Sequence, residues 1–217
     1  MLVYTLKQCY NAVEVNKMKT YNVTKINSEM TAEMWENIPK AMIDVVQCPV
    51  PEKPYITSAQ LVYNDEKIFV HLKTNERKIR AVNTERNSGV CEDSCMEFFF
   101  APDNDDVRYF NFEINPIGTL LLYVCNKRIE MVPTTDDESV FNIKSVITKD
   151  GWELFYEIPF SFIKKYFKKV SSTMLANFYK CGEKTEIEHY IAWSKPQESP
   201  RDFHRPEDFG QIIFEEK

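Results

Sequence analysis

The chain is short of glycine, with 5 in 217 residues, and no glycine-rich loop is present to cradle a phosphate. Histidine is rarer, at 3, and none of the spacings is that of metal ligands on one element. No Cys-x-x-Cys pair occurs among the six cysteines, Cys9, Cys48, Cys91, Cys95, Cys125 and Cys181, which argues against a zinc site set by spacing. Cys-x-x-Cys-His and Gly-x-Ser-x-Gly are also missing, which removes the signatures of attached haem and of a serine nucleophile. No apolar run approaches the roughly 20 residues that span a bilayer, so no membrane partner is expected. Basic residues are not in excess: 27 Lys and Arg stand against 33 Asp and Glu, for a net charge of −6. Without a basic stripe, a nucleic-acid partner is disfavoured. There is no charged start followed by an apolar run and a small-residue cleavage site. The expected location is therefore cytoplasmic with reduced thiols, or extracellular if a leader has been removed; an even cysteine count leaves disulfides open.

What is present is period-two alternation. Residues 56–63 and 67–74 flank Asn64-Asp65-Glu66 and read as a hairpin, as do 140–148 and 152–158 around Lys149-Asp150-Gly151. Further strands are expected at 94–100, 107–115, 119–125, 174–181, 189–193 and 211–214. Only 161–168, after Pro159, and a short stretch at 31–36 look helical. Many short strands with few helices predict an all-β, antiparallel β-sandwich of two sheets in one domain, residues 1–217, with 1–30 as extra strands or an arm. A monomer or weak dimer is expected.

Alternation also separates faces. Phe110, Phe112 and Ile114 share one side of their strand, with Tyr109, Asn111, Glu113 and Asn115 on the other. Met96, Phe98 and Phe100 form an apolar side opposite Asp93 and Glu97. If the two strands pair, one surface presents Glu97, Asn111 and Glu113 together; the plainer reading is a solvated outer face. Trp152 shares a side with Leu154, Tyr156 and Ile158 and is read as core. In residues 189–210 a strand carrying Trp193 runs into a Pro-punctuated loop, which holds Trp193 at its entry and then Phe203, His204 and Phe209. Its rings are either a binding platform or a cap on the end of a sheet.

Four segments together resemble carbohydrate-binding module family 9 and its bacterial relatives. They are the acidic strand Asp93–Phe100 before Ala101-Pro102, Tyr109–Gly118, Trp152–Phe160, and a C-terminal set of Asn177-Phe178-Tyr179, Ala192-Trp193-Ser194-x-Pro196 and Pro206-x-x-Phe209-Gly210. The likeness runs over roughly 30–214. It implies non-catalytic binding of a mono- or oligosaccharide, as an accessory of glycoside hydrolase systems. Trp193 would be one of two clamp rings, with hydrogen bonds from Glu97, Asn111 and Glu113. The second ring position carries Val90 and Cys91, so Tyr109, Trp35 or Phe203 would have to replace it, with His204 nearby. No cofactor is implied; the family's structural calcium has only the turn Asp103-Asn104-Asp105-Asp106 as a candidate here. The chemistry suits a sugar: a ring covers its C–H face, and carboxylates and amides bond its hydroxyls.

Three other readings compete. Glu97 and Glu113 are the one carboxylate pair to nominate for glycoside hydrolysis, with His189 or His204 as acid or base. Haem binding through Met96 or a histidine is disfavoured, because Met96 points to the core. A structural or protein-interaction sandwich that has lost sugar binding is the runner-up.

Overall fold

The computed structural model describes residues 18–47, 52–127, 130–196 and 201–215. In chain order the strands are β1 (Thr20–Lys25), β2 (Ala41–Ile43), β3 (Val45–Val46), β4 (Thr57–Tyr63), β5 (Lys67–Thr74), β6 (Cys95–Ala101), β7 (Tyr109–Ile114), β8 (Leu120–Asn126), β9 (Glu130–Pro133), β10 (Lys144–Thr148) and β11 (Gly151–Pro159). The helix α1 (Phe160–Tyr166) follows, then β12 (Thr173–Gly182), β13 (His189–Ala192) and β14 (Gly210–Phe214). The stretch at 31–36 becomes a single 3-10 turn, Glu33–Asn37, which buries Trp35 against His71 and Phe155. Strands β2, β3 and β9 were not foreseen; they are short, and the fully exposed β9 carries no inward-facing alternation. Of the stretch 1–30 expected as extra strands or an arm, 1–17 lie outside the described residues, as do Cys48 and residues 197–200 of the Pro-rich loop.

Neighbouring strands run in the order β10-β11-β5-β4-β1-β14-β12-β6-β7-β8-β9. The sheet is antiparallel except at β1, which pairs parallel with both β14 and β4 and joins the two halves. The halves curl face to face as a sandwich. Leu61, Val70, Leu72, Trp152, Leu154 and Ile158 from one half meet Met96, Phe98, Phe110, Phe112, Phe178 and Ile212 from the other in one buried cluster. The rings stack within and across strands, Phe98 lying 4.8 Å from Phe100 on its own strand and 4.8 Å from Phe178 on β12. A dry core of large rings stabilises by area removed from water and by ring contacts.

One end of this core is polar and closed on itself. Lys180 Nζ lies 3.0 Å from Glu76 Oε2 and 2.7 Å from His189 Nε2, and donates to the Cys181 carbonyl at 2.8 Å. Trp152 Nε1 and Ser94 Oγ donate to the same Glu76 carboxylate, at 3.0 and 2.9 Å. His189 lies 2.6 Å from the Ile187 carbonyl through Nδ1, so the network fits a neutral ring protonated at Nδ1. Glu76, Ser94, Trp152, Lys180 and His189 are all buried and bonded, the condition under which buried charge is tolerated.

Candidate functional site

The site is built on the outer face of β6, β7, β8 and β12. Glu97 stands directly opposite Glu113, and Asn111 stands opposite Tyr123. Period two then puts Cys95, Glu97, Phe99, Tyr109, Asn111, Glu113, Leu121, Tyr123, Tyr179 and Cys181 on this side, away from the inter-sheet core. Asn111 Nδ2 donates to Glu113 Oε1 at 2.9 Å, and its Oδ1 accepts from the Tyr123 amide at 3.0 Å. Asn111 thus fixes both its acidic neighbour and the strand beside it. The Cys181 thiol lies 2.8 Å from Glu97 Oε1.

This face is not a solvated one. Glu97, Asn111 and Glu113 are 2, 0 and 5% exposed. Over Tyr109 and Tyr179 the cover is the loop seen in the sequence, and strand register explains its course. Ala192 is opposite Tyr179 and Gly210 is opposite Ala176, so the chain leaves β12 and rejoins it three positions away. Asn177 bridges the gap: its Oδ1 accepts from the Ser194 amide at 2.8 Å and its Nδ2 donates to the Ser194 carbonyl at 3.0 Å. That copies a ladder pair with a side chain. The excursion lays Phe203 flat on Tyr179 at 3.9 Å and Phe209 against Tyr109, while His204 Nδ1 bonds the Tyr109 hydroxyl at 2.8 Å. Ser194 Oγ closes the loop base on the Asp208 carbonyl at 2.8 Å. Of the two readings of these aromatics, Phe203 and Phe209 cap the sheet, and Tyr109 and His204 hold the cap.

Trp193 corrects the sequence reading. Its ring is 3% exposed and packs edge-on against Phe178 at 5.5 Å, within the inter-sheet core. It therefore lies on the opposite side of the sheet from Glu97, Asn111 and Glu113 and is no platform beside them. Gly210 is its counterpart: an added Cβ would sit 2.7 Å from Trp193 Cζ3 and 2.6 Å from the Lys19 carbonyl. The Trp–Gly pair in the C-terminal segments is thus a packing pair. Trp152 is core, as read, and Trp35 packs beneath its turn on the far sheet.

Sequence reasoning missed Tyr123. It is half-buried and packs, like Leu121 and Cys91, against the apolar cluster of this face that includes Phe99, Tyr109 and Tyr179. Pro133 pairs with Tyr123, and Met131, exposed, pairs with Cys125 next along the same side. The alternation of Leu121, Tyr123 and Cys125 against Leu120, Leu122 and Val124 carried the signal, but pointed to no site without knowing that β8 borders β7.

The calcium candidate is occupied by partners of its own. Asp106 pairs with Arg108 at 2.6 Å, Asp105 with Lys169, and Asp103 accepts the amides of Asp105 and Lys169 at 3.0 and 3.2 Å. Among the described residues, the ligand atoms that converge are instead those of Cys95, Glu97 and Cys181. Cys91, Cys95 and Cys181 are free thiols. Burial pushes the Cys95 thiol up to about 12 and the Tyr179 phenol well up. No helix among the described residues is long and apolar enough to cross a membrane.

Comparison with known proteins agrees with this architecture. The model of carbohydrate-binding family 9 matches residues 27–214. A crystal structure of a candidate carbohydrate-binding protein from Bacteroides uniformis is 30% identical, with a TM-score of 0.78, covering 92% of this chain and 100% of that one. Family 9 modules from Caldicellulosiruptor kristjanssonii, solved with glucose and with cellotriose, share the fold at 12 and 13% identity. Their TM-scores are both 0.64, over 92% of this chain and 97 and 95% of theirs. Curated proteins gave no match. With most of its length matched by the family model, this β-sandwich belongs to carbohydrate-binding family 9.

Proposed function

We propose that the protein binds a mono- or oligosaccharide without cleaving it, on the outer face of β6, β7 and β8. Tyr123 supplies the ring that covers a sugar's C–H face, flanked by Leu121. Glu113 is the nearest hydrogen-bonding carboxylate, oriented by Asn111. Glu97 backs it from the neighbouring strand, and Tyr109 and His204 act through the loop they anchor. The observation that carries the reading is a partly exposed tyrosine directly opposite the buried Asn111 that holds Glu113, in a chain of this family. Glucose and cellotriose, the ligands of the two Caldicellulosiruptor structures, are the first saccharides to try. One stacked ring with three or four net hydrogen bonds gives micromolar to millimolar affinity, at roughly 1 kcal/mol each.

Catalysis is disfavoured. Glu97 and Glu113 lie side by side on one sheet face, bonded to Cys181 and Asn111, rather than flanking a space for a glycosidic bond. The burial of the polar cluster favours the second reading, an interaction sandwich without a sugar site. Calorimetric titration with mono- and oligosaccharides separates the two. Binding that weakens about tenfold in Tyr123→Ala and in Glu113→Gln supports the site. Binding untouched by both changes refutes it, and no binding to any saccharide favours the interaction module.

A further inference from the structure

Beneath this surface two thiols and a carboxylate converge. Cys95 on β6 is directly opposite Cys181 on β12, and Glu97 follows two positions on, on the same side of β6. One ligand atom from each lies within 4.8 Å of the other two, and all three residues are buried. We propose that Cys95, Glu97 and Cys181 bind a thiophilic divalent cation of the zinc or cadmium type.

The donor set selects that class. Two sulfurs and one carboxylate oxygen suit a d10 ion with tetrahedral preference, whereas calcium and magnesium demand oxygen alone. Zinc–sulfur bonds of about 2.3 Å and zinc–oxygen bonds of about 2.0 Å put tetrahedral ligands roughly 3.5–3.8 Å apart. The Cys181 to Glu97 contact, 2.8 Å with a shared proton, would open by less than about 1 Å once the ion replaces that proton. Three protein ligands leave a fourth coordination position unfilled by these residues. The partly exposed Cys91 borders the cluster, its carbonyl 3.6 Å from the Cys181 sulfur.

Charge balance favours the exchange. The metal-free trio holds two neutral thiols and a carboxylate, for a net charge of −1. Binding M2+ with release of two protons gives two thiolates, one carboxylate and the ion, again −1. The buried site therefore gains no net charge, and the desolvation that keeps the thiols protonated does not oppose the bound state. Two protons leave per ion, so affinity rises steeply with pH.

The test needs no saccharide, so its outcome is independent of the sugar reading. The reduced full-length protein is titrated with Cd2+ while the thiolate-to-cadmium ultraviolet band is followed, and with Zn2+ against a chromophoric chelator. Cys95→Ser, Cys181→Ser and their double variant are compared with Cys125→Ser, a buried thiol outside the trio. Circular dichroism checks the fold of each. The expected result is one tight site, two protons released, and at least about a 100-fold loss of affinity in the double variant with none in Cys125→Ser. If the double variant fails to fold, Glu97→Gln carries the test, with the band retained and affinity reduced. Absence of a tight site in the reduced protein overturns the proposal. So does a site unchanged by the Cys95 and Cys181 substitutions, or air oxidation to a Cys95–Cys181 disulfide with no cation bound beforehand.

Discussion

Replacing Trp193 by alanine separates a core tryptophan from a sugar platform. The indole is 3% exposed, packs on Phe178 and closes on Gly210. Truncating such a ring leaves a cavity that the rigid strands around it cannot fill, at a cost of about 3–5 kcal/mol. For a domain of this size each kcal/mol lowers Tm by roughly 2–4 °C, so the expected fall is about 6–20 °C. Affinity should barely move, because the ring faces away from Glu113 and Tyr123. Measured well below the lowered Tm, the dissociation constant for any bound saccharide should change less than about threefold, under 0.7 kcal/mol. The assay pairs calorimetric unfolding with binding titration on one preparation. Gly210→Ala should reproduce the stability loss from the other side, at about 1–3 kcal/mol, by forcing a methyl into the indole. A Tm within 2 °C of the wild type, by the same conversion, would refute the packing argument. So would a tenfold or greater loss of affinity with the Tm intact, which would return Trp193 to the binding surface.

Other expectations concern the buried charges and the loop. Lys180→Met leaves the Glu76 carboxylate buried beside only its Trp152 and Ser94 donors, and should cost about 3–5 kcal/mol in urea unfolding. Adding Glu76→Leu should recover part of that loss; no recovery would mean that packing rather than charge dominates there. Burial and the adjacent Lys180 charge hold His189 at about 4, below its ordinary 6.5. The unfolded chain then takes the proton first, so this stabilisation is complete above about pH 6.5 and is lost as pH falls through 4, by about 3 kcal/mol. Urea midpoints from pH 7.5 to 4.5 should show that fall, flattened in a folded His189→Asn variant. Tyr109→Phe removes the hydroxyl bonded to His204 and should loosen residues 201–209 at about 1–2 kcal/mol, read as faster amide exchange there with β12 unchanged.

Much of the architecture follows from local pattern. Alternation at 94–100 and 109–115 is enough to assign the inner rings Phe98, Phe110 and Phe112 and the outer set Glu97, Asn111 and Glu113, because a strand has only two faces and the apolar one must be buried. Short turns at 64–66 and 149–151 dictate their hairpins for the same local reason. The helix at 160–166 follows from Pro159 and the apolar spacing after it.

Pairing between distant strands was beyond that reach. Trp193 follows a four-residue strand, and only the register of β13 and β14 along one edge of β12 decides that its ring turns inward onto Gly210 while Phe203 and His204 close over the other face. Tyr123 gains meaning only as the neighbour of Asn111, and Cys95 only as the partner of Cys181, 86 positions away. Alone, the chain determined which residues are apolar-faced, which segments are strands, and which family they resemble. Tertiary structure decided which side of the sheet each ring serves and which donors share a site. The physical reason is that strand alternation is a property of one segment, while a binding or metal site is a property of the register between segments.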